Sequence, residues 1–323
     1  MTNSTQIYNT YVRANLPDGM TYSRSQARYT VNEVNFSSYA EAESYQNYLS
    51  KNGYTTDFVM EVAIATNGDS FTIPCTDTGT FNAVIDWGDG STDTITTFDA
   101  AALQHTYATA GTKTVKVSGT FPNIRFNNGG DKSKVLSVLN LGVVGWLDLK
   151  NAFYGCNNLS VFIAGATNTA SVIEFAGMLR NCLTLDFNQL TTLSTVSSTD
   201  FKNMFKGCTS IKTIDCTSFS TARAVDLSSM FQDCSSLTDV INVEWFNIED
   251  LNSVGDLDDF MTNVTLPTAR YDQLLINWDA QTVNAGLSPN FGASTYTGGG
   301  VAAAARASLI AGDGWTITDG GVA

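Results

Sequence analysis

A 26-residue repeat constrains the fold of this chain more than any other feature of its sequence. One cysteine, one large apolar residue three positions before it and one Leu or Ile three positions after it all recur at that interval. The three columns are Cys156, Cys182, Cys208 and Cys234; Phe153, Leu179, Phe205 and Phe231; and Leu159, Leu185, Ile211 and Leu237. Because so short a unit cannot bury its apolar face alone, stacking of neighbouring units is expected to build the core.

The third unit shows how one repeat is expected to fold. Met204, Phe205 and Cys208 are spaced as one face of a short helix. Ile214 and Cys216 follow as alternate residues, which share a face of a strand. The period of the repeat falls in the range of leucine-rich repeats. We therefore expect a leucine-rich-repeat-type solenoid of 26-residue units over residues 129–266.

Residues 267–323 are expected to cap this array. After residues 258–261 the repeat period slips by about three residues, and the pattern ends near Pro267. Apolar spacing predicts a helix over residues 268–279, a second helix over residues 300–310 and a final strand over residues 315–318. A solenoid needs a cap because its open end would expose core side chains and unpaired strand groups.

Residues 56–128 have the pattern of an all-β sandwich. Short β-patterned segments are separated by turn signals such as Asn67 followed by Gly68. Several short strands at this spacing are typical of a sandwich. The predicted strands cover residues 58–65, 70–75, 81–87, 92–98 and 112–121.

Residues 1–55 form a distinct N-terminal α/β segment. Their four basic and four acidic residues cancel, so the whole net charge of −14 resides in the remainder of the chain. Alternation predicts a strand over residues 28–36. Ser38 as an N-cap and Gly53 as a stop predict a helix over residues 37–52. The segment is either a small packed domain or one that needs a partner to complete its core.

The composition argues against several functional classes. The chain has 31 Asp and Glu against 17 Lys and Arg, which disfavours binding to nucleic acid or to anionic lipid. The single His disfavours a Ser-His-Asp triad, and the six Cys include no C-x-x-C pair. No apolar run approaches the roughly 18 residues of a membrane-spanning helix, and no secretory signal is visible at the N-terminus.

The repeat resembles the BspA-like leucine-rich repeats, whose units read roughly M-F-x-x-C-x-S-L-x-x-L-D-L-S-x-F-x-T. Residues 204–221 match this pattern almost position by position, and residues 230–237 match its first half. Residues 314–321 are similar to a recurring end of such arrays. The resemblance implies a non-enzymatic, surface-exposed protein. Members of the family are adhesins of bacteria and parasites, and similar arrays occur in phage structural proteins.

Residues 56–128 resemble a PKD-like immunoglobulin-type domain. The resemblance rests on residues 84–91, which contain W-G-D-G, and on an H-x-Y motif before a glycine turn and an alternating strand. It implies an extracellular spacer or adhesion module. The residues expected to serve as structural motifs here are Trp87, Asp89, His105 and Tyr107.

The W-G-D-G segment also raises the question of a calcium site. Asp86, Asp89 and Asp93 cluster in sequence, and calcium prefers oxygen ligands. We favour a tight turn in which Asp89 accepts hydrogen bonds from backbone donors. His105 and Tyr107 fit a hydrogen-bonded strand corner better than a catalytic role. No metal and no cofactor is expected, although calcium at the three aspartates stays open.

The cysteine column is expected to be structural. Successive units would lie about 4.8 Å apart, so disulfides or a metal stack are geometrically conceivable. We favour buried thiols that pack as small apolar groups. This interpretation covers Cys156, Cys182, Cys208, Cys234, Cys216 and Cys75.

Aromatic side chains are the best candidates for a binding surface, with core packing as the alternative for each. These candidates are Trp146, Tyr154, Phe162, Trp245 and Phe246. A polysaccharide-degrading site would instead need two facing carboxyl groups, one with a raised pKa. The available carboxylates, which the sequence gives no reason to pair, are Asp186, Asp215, Asp239, Glu244 and Glu249.

Together these features lead us to expect a non-enzymatic phage virion structural protein, as a head or tail fibre or a capsid decoration. Such a protein needs no export signal because lysis releases it. Residues 1–55 would bind other virion proteins, and the solenoid would face a host surface glycan or protein. We expect a homo-oligomer on the virion surface, without nucleic-acid binding or membrane insertion. The alternatives are a bacterial cell-surface adhesin and, ranked lower, a polysaccharide-degrading tail spike.

Overall fold

A computed structural model describes residues 20–23, 28–31, 34–36 and 56–323. The chain divides into two compact units, Met1–Thr55 and Thr56–Ala323. In the first unit, three strands form one antiparallel sheet. They are β1 (Met20–Ser23), β2 (Arg28–Val31) and β3 (Val34–Phe36).

The prediction of one strand over residues 28–36 is wrong. Val31 of β2 lies opposite Val34 of β3, so these residues form two paired strands. An alternating pattern continues unchanged across a chain reversal, which explains the error. The helix predicted over residues 37–52 lies outside the described residues.

In the second unit, a large mixed sheet organises the N-terminal part. The five predicted strands are confirmed with shorter or shifted bounds, and one more strand is present. The strands are β4 (Phe58–Ile64), β5 (Ser70–Thr72), β6 (Asn82–Asp86), β7 (Thr92–Ile95), β8 (Gln104–Thr106) and β9 (Gly111–Thr120). Strands β5 and β8 pair with each other in a separate two-stranded sheet.

The large sheet continues beyond residue 128 into the repeat. Strand β10 (Val135–Asn140) pairs antiparallel with β4, and β11 (Val161–Ile163) and β12 (Phe187–Gln189) then add in parallel. The strand order is β12-β11-β10-β4-β9-β6-β7. One apolar core therefore runs from this sheet into the repeat.

Later repeat units add short parallel pairings. Strand β13 (Thr213–Asp215) pairs in parallel with β14 (Asp239–Ile241). On another side of the repeat, single parallel bridges join Glu174 to Asp200 and Asp200 to Asp226, which are equivalent positions of successive units. The second unit is thus mainly β, and it contains two α-helices, both near the C-terminus.

The short helix expected at Met204, Phe205 and Cys208 is wrong. The segment is a series of turns, in which Asn203 has φ 57° and Gly207 has φ 74°. Left-handed residues interrupt an α-helix. The three side chains are nevertheless all buried, because the turns present them to the same core.

Backbone hydrogen bonds join each turn segment to the next unit. The Phe153 amide donates to the Met178 carbonyl, and the Gly155 amide donates to the Arg180 carbonyl, both at 2.8 Å. The same pattern recurs in the two following units, and each bond joins residues one position less than the 26-residue period apart. The Phe231 amide instead donates to the Phe260 carbonyl, whereas the spacing of the earlier units would give residue 256, four positions earlier. The slip of the period is therefore four positions, where the sequence suggested about three.

The C-terminal region covers the last unit with helices. The first predicted helix is confirmed as α1 (Thr268–Asp279), and the second as α2 (Val301–Ala311). The strand predicted over residues 315–318 is wrong: β15 (Thr295–Tyr296) instead pairs with β16 (Gly321–Val322). Helix α1 buries one face against the core, through Tyr271, Leu274, Leu275 and Trp278. Within the described residues, no helix is long and apolar enough to cross a membrane.

Candidate binding surface

The W-G-D-G turn is built around the ring of Trp87. The His105 ring stacks on it with centroids 5.1 Å apart, and Tyr107 meets both rings edge-on. The Tyr107 hydroxyl donates to the Trp87 carbonyl at 3.1 Å. This arrangement fixes the strand corner through ring contacts and one buried hydrogen bond.

The aspartates of this turn bond to different partners. Asp86 accepts from the Gly88 amide, and Asp93 accepts from the Trp87 indole at 2.8 Å. Asp89 accepts from Ser91 and also contacts His105 Nε2 at 2.8 Å. In residues 56–323 and the three N-terminal strands, the His, Cys, Asp and Glu side chains form no group of three or more that is suited to a metal ion.

The geometry around His105 does not form a catalytic relay. Ser91 Oγ and Asp89 Oδ2 both approach the same ring nitrogen, Nε2, at 3.3 and 2.8 Å. A relay needs the nucleophile and the orienting carboxylate on opposite ring nitrogens. The hydroxyl and amide of Ser91 and the His105 ring hold the pKa of Asp89 well below its usual range.

The cysteine column lies inside the repeat. Cys156, Cys182, Cys208 and Cys234 are free and fully buried. Three of the thiols donate to a carbonyl in the preceding unit; the Cys208 thiol, for example, reaches the Leu179 carbonyl at 3.0 Å. Burial raises the pKa of all four. Cys216 is also buried, whereas Cys75 is half-buried, and burial raises its thiol pKa to about 12.

The structure contradicts three of the aromatic candidates for a binding surface. Trp146, Phe162 and Phe246 are buried, with at most 2% of each residue exposed. Phe162 lies at the centre of β11 and packs edge-on against Phe153. The Trp146 indole donates to the Leu141 carbonyl, so its polar edge is satisfied inside the core. These residues support the fold and do not line a surface.

Two of the aromatic candidates remain accessible. Trp245 is 68% exposed at the end of a short 3₁₀ turn. Tyr154 is half-buried, and the Arg180 guanidinium lies over its ring, 4.7 Å from the centroid. Trp245 and Tyr154 are in different parts of their units, so they do not belong to one column of the repeat.

Two of the five candidate carboxylates lie close together, but an arginine lies between them. Arg270 forms a two-pronged hydrogen bond with Asp239 at 2.9 and 3.1 Å and contacts Glu244 at 2.6 Å. These contacts raise the pKa of Arg270. Asp215 accepts from the Thr217 amide, and Asp186 and Glu249 are exposed. Asp239 and Glu244 therefore anchor α1 to the repeat.

Sequence reasoning missed two cations on the surface that carries Tyr154. Arg180 and Lys206 are the equivalents of Tyr154 in the next two units, and all three are half-buried. The signal was present in the repeat, because any residue found at the period of a candidate occupies the equivalent position. Aromatic character identifies only the first member of this column, because the next two members are charged.

Residues 147–267 match the model of a family described as a Mycoplasma protein of unknown function, DUF285. The matched stretch includes most of the repeat and makes up less than half of the chain. No curated protein and no solved structure matches the chain.

Proposed function

We propose that this chain is a non-enzymatic structural protein of a phage particle, as a head or tail fibre or a capsid decoration. Residues 1–55 bind other virion proteins, and the repeat displays a lateral surface for host attachment or for contacts within the virion. The division of the chain at residue 55 supports separate mounting and display parts.

The observation that carries this proposal is the hydrogen-bonded stacking of the repeat. Alternate amides of each turn segment donate to the next unit, for example Gly155 to Arg180. At its first end the repeat joins the large sheet through β10, and at its last end helix α1 covers it. The lateral surfaces of the repeat are available to a partner. The backbone hydrogen bonds hold the side chains on these surfaces in rows.

The finer architecture belongs to the same proposal. We propose that residues 129–266 are a leucine-rich-repeat-type solenoid and that residues 56–128 are a PKD-like domain. Parallel bridges between equivalent positions of successive units support the first assignment, as does the DUF285 match. The ring cluster of Trp87, His105 and Tyr107 supports the second.

A bacterial cell-surface adhesin is the second candidate. It is favoured by the description of the matching family as a Mycoplasma protein, which names a cellular organism. A polysaccharide-degrading spike is disfavoured by Arg270, which lies between Asp239 and Glu244 where such an enzyme needs open space for a sugar.

Quantitative mass spectrometry of purified particles tests the proposal. We expect the chain at a fixed copy number per particle, and we expect deletion of residues 1–55 to abolish incorporation while the remainder stays soluble. Copy number separates a capsid decoration from a tail fibre. Recovery on cell envelopes with none on particles would instead establish the adhesin.

A further inference from the structure

One row of side chains along the repeat carries positive charge on a chain whose net charge is −14. Its members occur once in each unit, and the carbonyl of each accepts a backbone hydrogen bond of 2.8 Å from the preceding unit. The backbone ladder therefore holds the row in register, with neighbours about 4.8 Å apart. The row consists of Tyr154, Arg180, Lys206 and Gln232.

The turn segments that carry the first three members contain no acidic residue. Residues 151–158, 177–184 and 203–210 include Arg180 and Lys206 but neither Asp nor Glu, in a chain with 31 acidic and 17 basic residues. The fourth segment contains Asp233, whose carboxylate accepts from the Asn263 amide group at 2.7 Å. The surface that carries Arg180 and Lys206 is therefore cationic, although the protein as a whole is strongly acidic.

Both cations are free of carboxylate partners within the described residues. The nearby Lys150 and Lys202 differ in this respect, because they pair with Glu174 and Asp226. Arg180 lies over the Tyr154 ring, and its Nε–H is buried without an acceptor in the described part of the chain. Stacking on an aromatic face orients a guanidinium before any ligand arrives.

We propose that the first three members of this row, Tyr154, Arg180 and Lys206, bind an acidic polysaccharide whose sugar units carry carboxylates. The inference rests on the proposed function, because it names the class of host ligand that the displayed surface recognises. The planar fork of Arg180 suits a carboxylate, and Lys206 supplies a second positive charge one unit away. Such a polymer repeats its carboxylates along its length, as the row repeats its cations.

A duplex nucleic acid fits this surface less well. Two free cations neutralise few phosphates, and the net charge of −14 opposes the approach of a dense polyanion. A flexible polysaccharide contacts one row without bringing a second strand close to the acidic surfaces. Double-stranded DNA and polyphosphate therefore serve as competitors in the test.

Binding of the full chain to polygalacturonate, with neutral dextran as reference, tests the inference. We compare Arg180→Gln/Lys206→Gln with Lys212→Gln/Arg223→Gln, which makes the same charge change at two exposed residues outside the row. The row variant is expected to bind about tenfold more weakly, as loss of two partly exposed ionic contacts implies. The control variant is expected to stay within about twofold of the parent.

Three results would overturn the inference: no preference for polygalacturonate over dextran, equal losses in both variants, or equal binding of DNA or polyphosphate. Circular dichroism of each variant checks that the fold is kept. Particle incorporation is measured separately and depends on residues 1–55. If the chain is absent from particles but binds polygalacturonate specifically, only the virion proposal is contradicted. If the chain is present at fixed copy number but does not bind polygalacturonate specifically, only this inference is contradicted.

Discussion

Gly177 lies directly against the side-chain oxygen of Asn151, its counterpart in the preceding unit, and a Cβ atom on Gly177 would overlap that oxygen. Both residues have positive φ, 63° and 53°. Gly207 lies against Asn181 in the same way. Asparagine and glycine thus alternate over these units, because the side chains of Asn151 and Asn181 fill the space that the next glycine leaves open.

Gly177→Ala is expected to destabilise the protein through two effects. Positive φ costs an alanine about 1–2 kcal/mol, and the overlap with Asn151 adds about 1–3 kcal/mol. Gly68→Ala is the matched control, because Gly68 has φ 83° with open space around its Cβ position. The free energy of unfolding from denaturant titration measures both. Equal losses at the two positions would mean that the contact contributes nothing.

Asn151→Gly is expected to relieve the overlap. In that background Gly177→Ala should cost only the backbone strain seen at Gly68, because the opposing oxygen is gone. A double-mutant cycle gives the coupling between the two sites. An unchanged cost of Gly177→Ala in the Asn151→Gly protein would show that Gly177 does not pack against the Asn151 side chain.

The sequence predicts the repeat but not the local conformation of its units. The 26-residue period predicts the repeat and its buried columns, because identical spacing places residues in equivalent environments. The local conformation was not predictable from apolar spacing alone, since a helix and a series of turns both bring Met204, Phe205 and Cys208 to one core. The left-handed Asn203 and Gly207 were the informative residues.

The binding surface was harder to predict than the fold. Trp245 and Phe246 are adjacent, yet one is 68% and the other 2% exposed, because the chain turns between them. Apolar character alone does not say which neighbour faces outward. Helix α1 was predictable to the residue, because its buried positions keep helical spacing and Pro267 marks its start.

Trp245→Ala and Phe246→Ala test this assignment as a pair of neighbours. Trp245→Ala is expected to change the free energy of unfolding by less than about 0.5 kcal/mol, as for other surface substitutions. Phe246→Ala is expected to cost about 3–5 kcal/mol, because it empties a buried site. Thermal or denaturant unfolding measures both. A large loss at Trp245 would show that its ring is packed.

The four column thiols are expected to resist alkylation in the native protein. Burial blocks access and raises the pKa of each thiol, so the reactive thiolate is scarce at pH 8. Cys75, which is half-buried, should react first and slowly, and all six should react in denaturant. Ser236→Cys supplies an exposed thiol as a positive control. Rapid native labelling of Cys182 or Cys208, seen by mass spectrometry, would contradict their burial.

Asp89 is expected to make stability depend on acid pH. Its hydrogen bonds to Ser91 and His105 lower the pKa of the folded state below the unfolded value of about 3.9. The stabilisation is therefore present above about pH 4 and is lost as the pH falls towards the folded-state pKa. Asp89→Asn should cost about 1–2 kcal/mol at pH 7 and progressively less below pH 4.

The control for this pH experiment is Asp99→Asn, at an exposed aspartate of the same domain. It is expected to leave the pH profile of the unfolding free energy close to that of the parent. A penalty for Asp89→Asn that stays constant from pH 7 to pH 2 would mean that the charge of Asp89 plays no part.

The distance between spin labels along one column of the repeat tests whether the repeat units stack. Asn158→Cys and Ser236→Cys place labels at exposed positions three units apart, so backbones about 14 Å apart are expected. A second copy of residues 177–228, inserted after residue 228, keeps the alternation of asparagine and glycine and should lengthen that distance by about 10 Å. An unchanged distance, or a broad distribution typical of an unfolded insert, would contradict the stacked repeat.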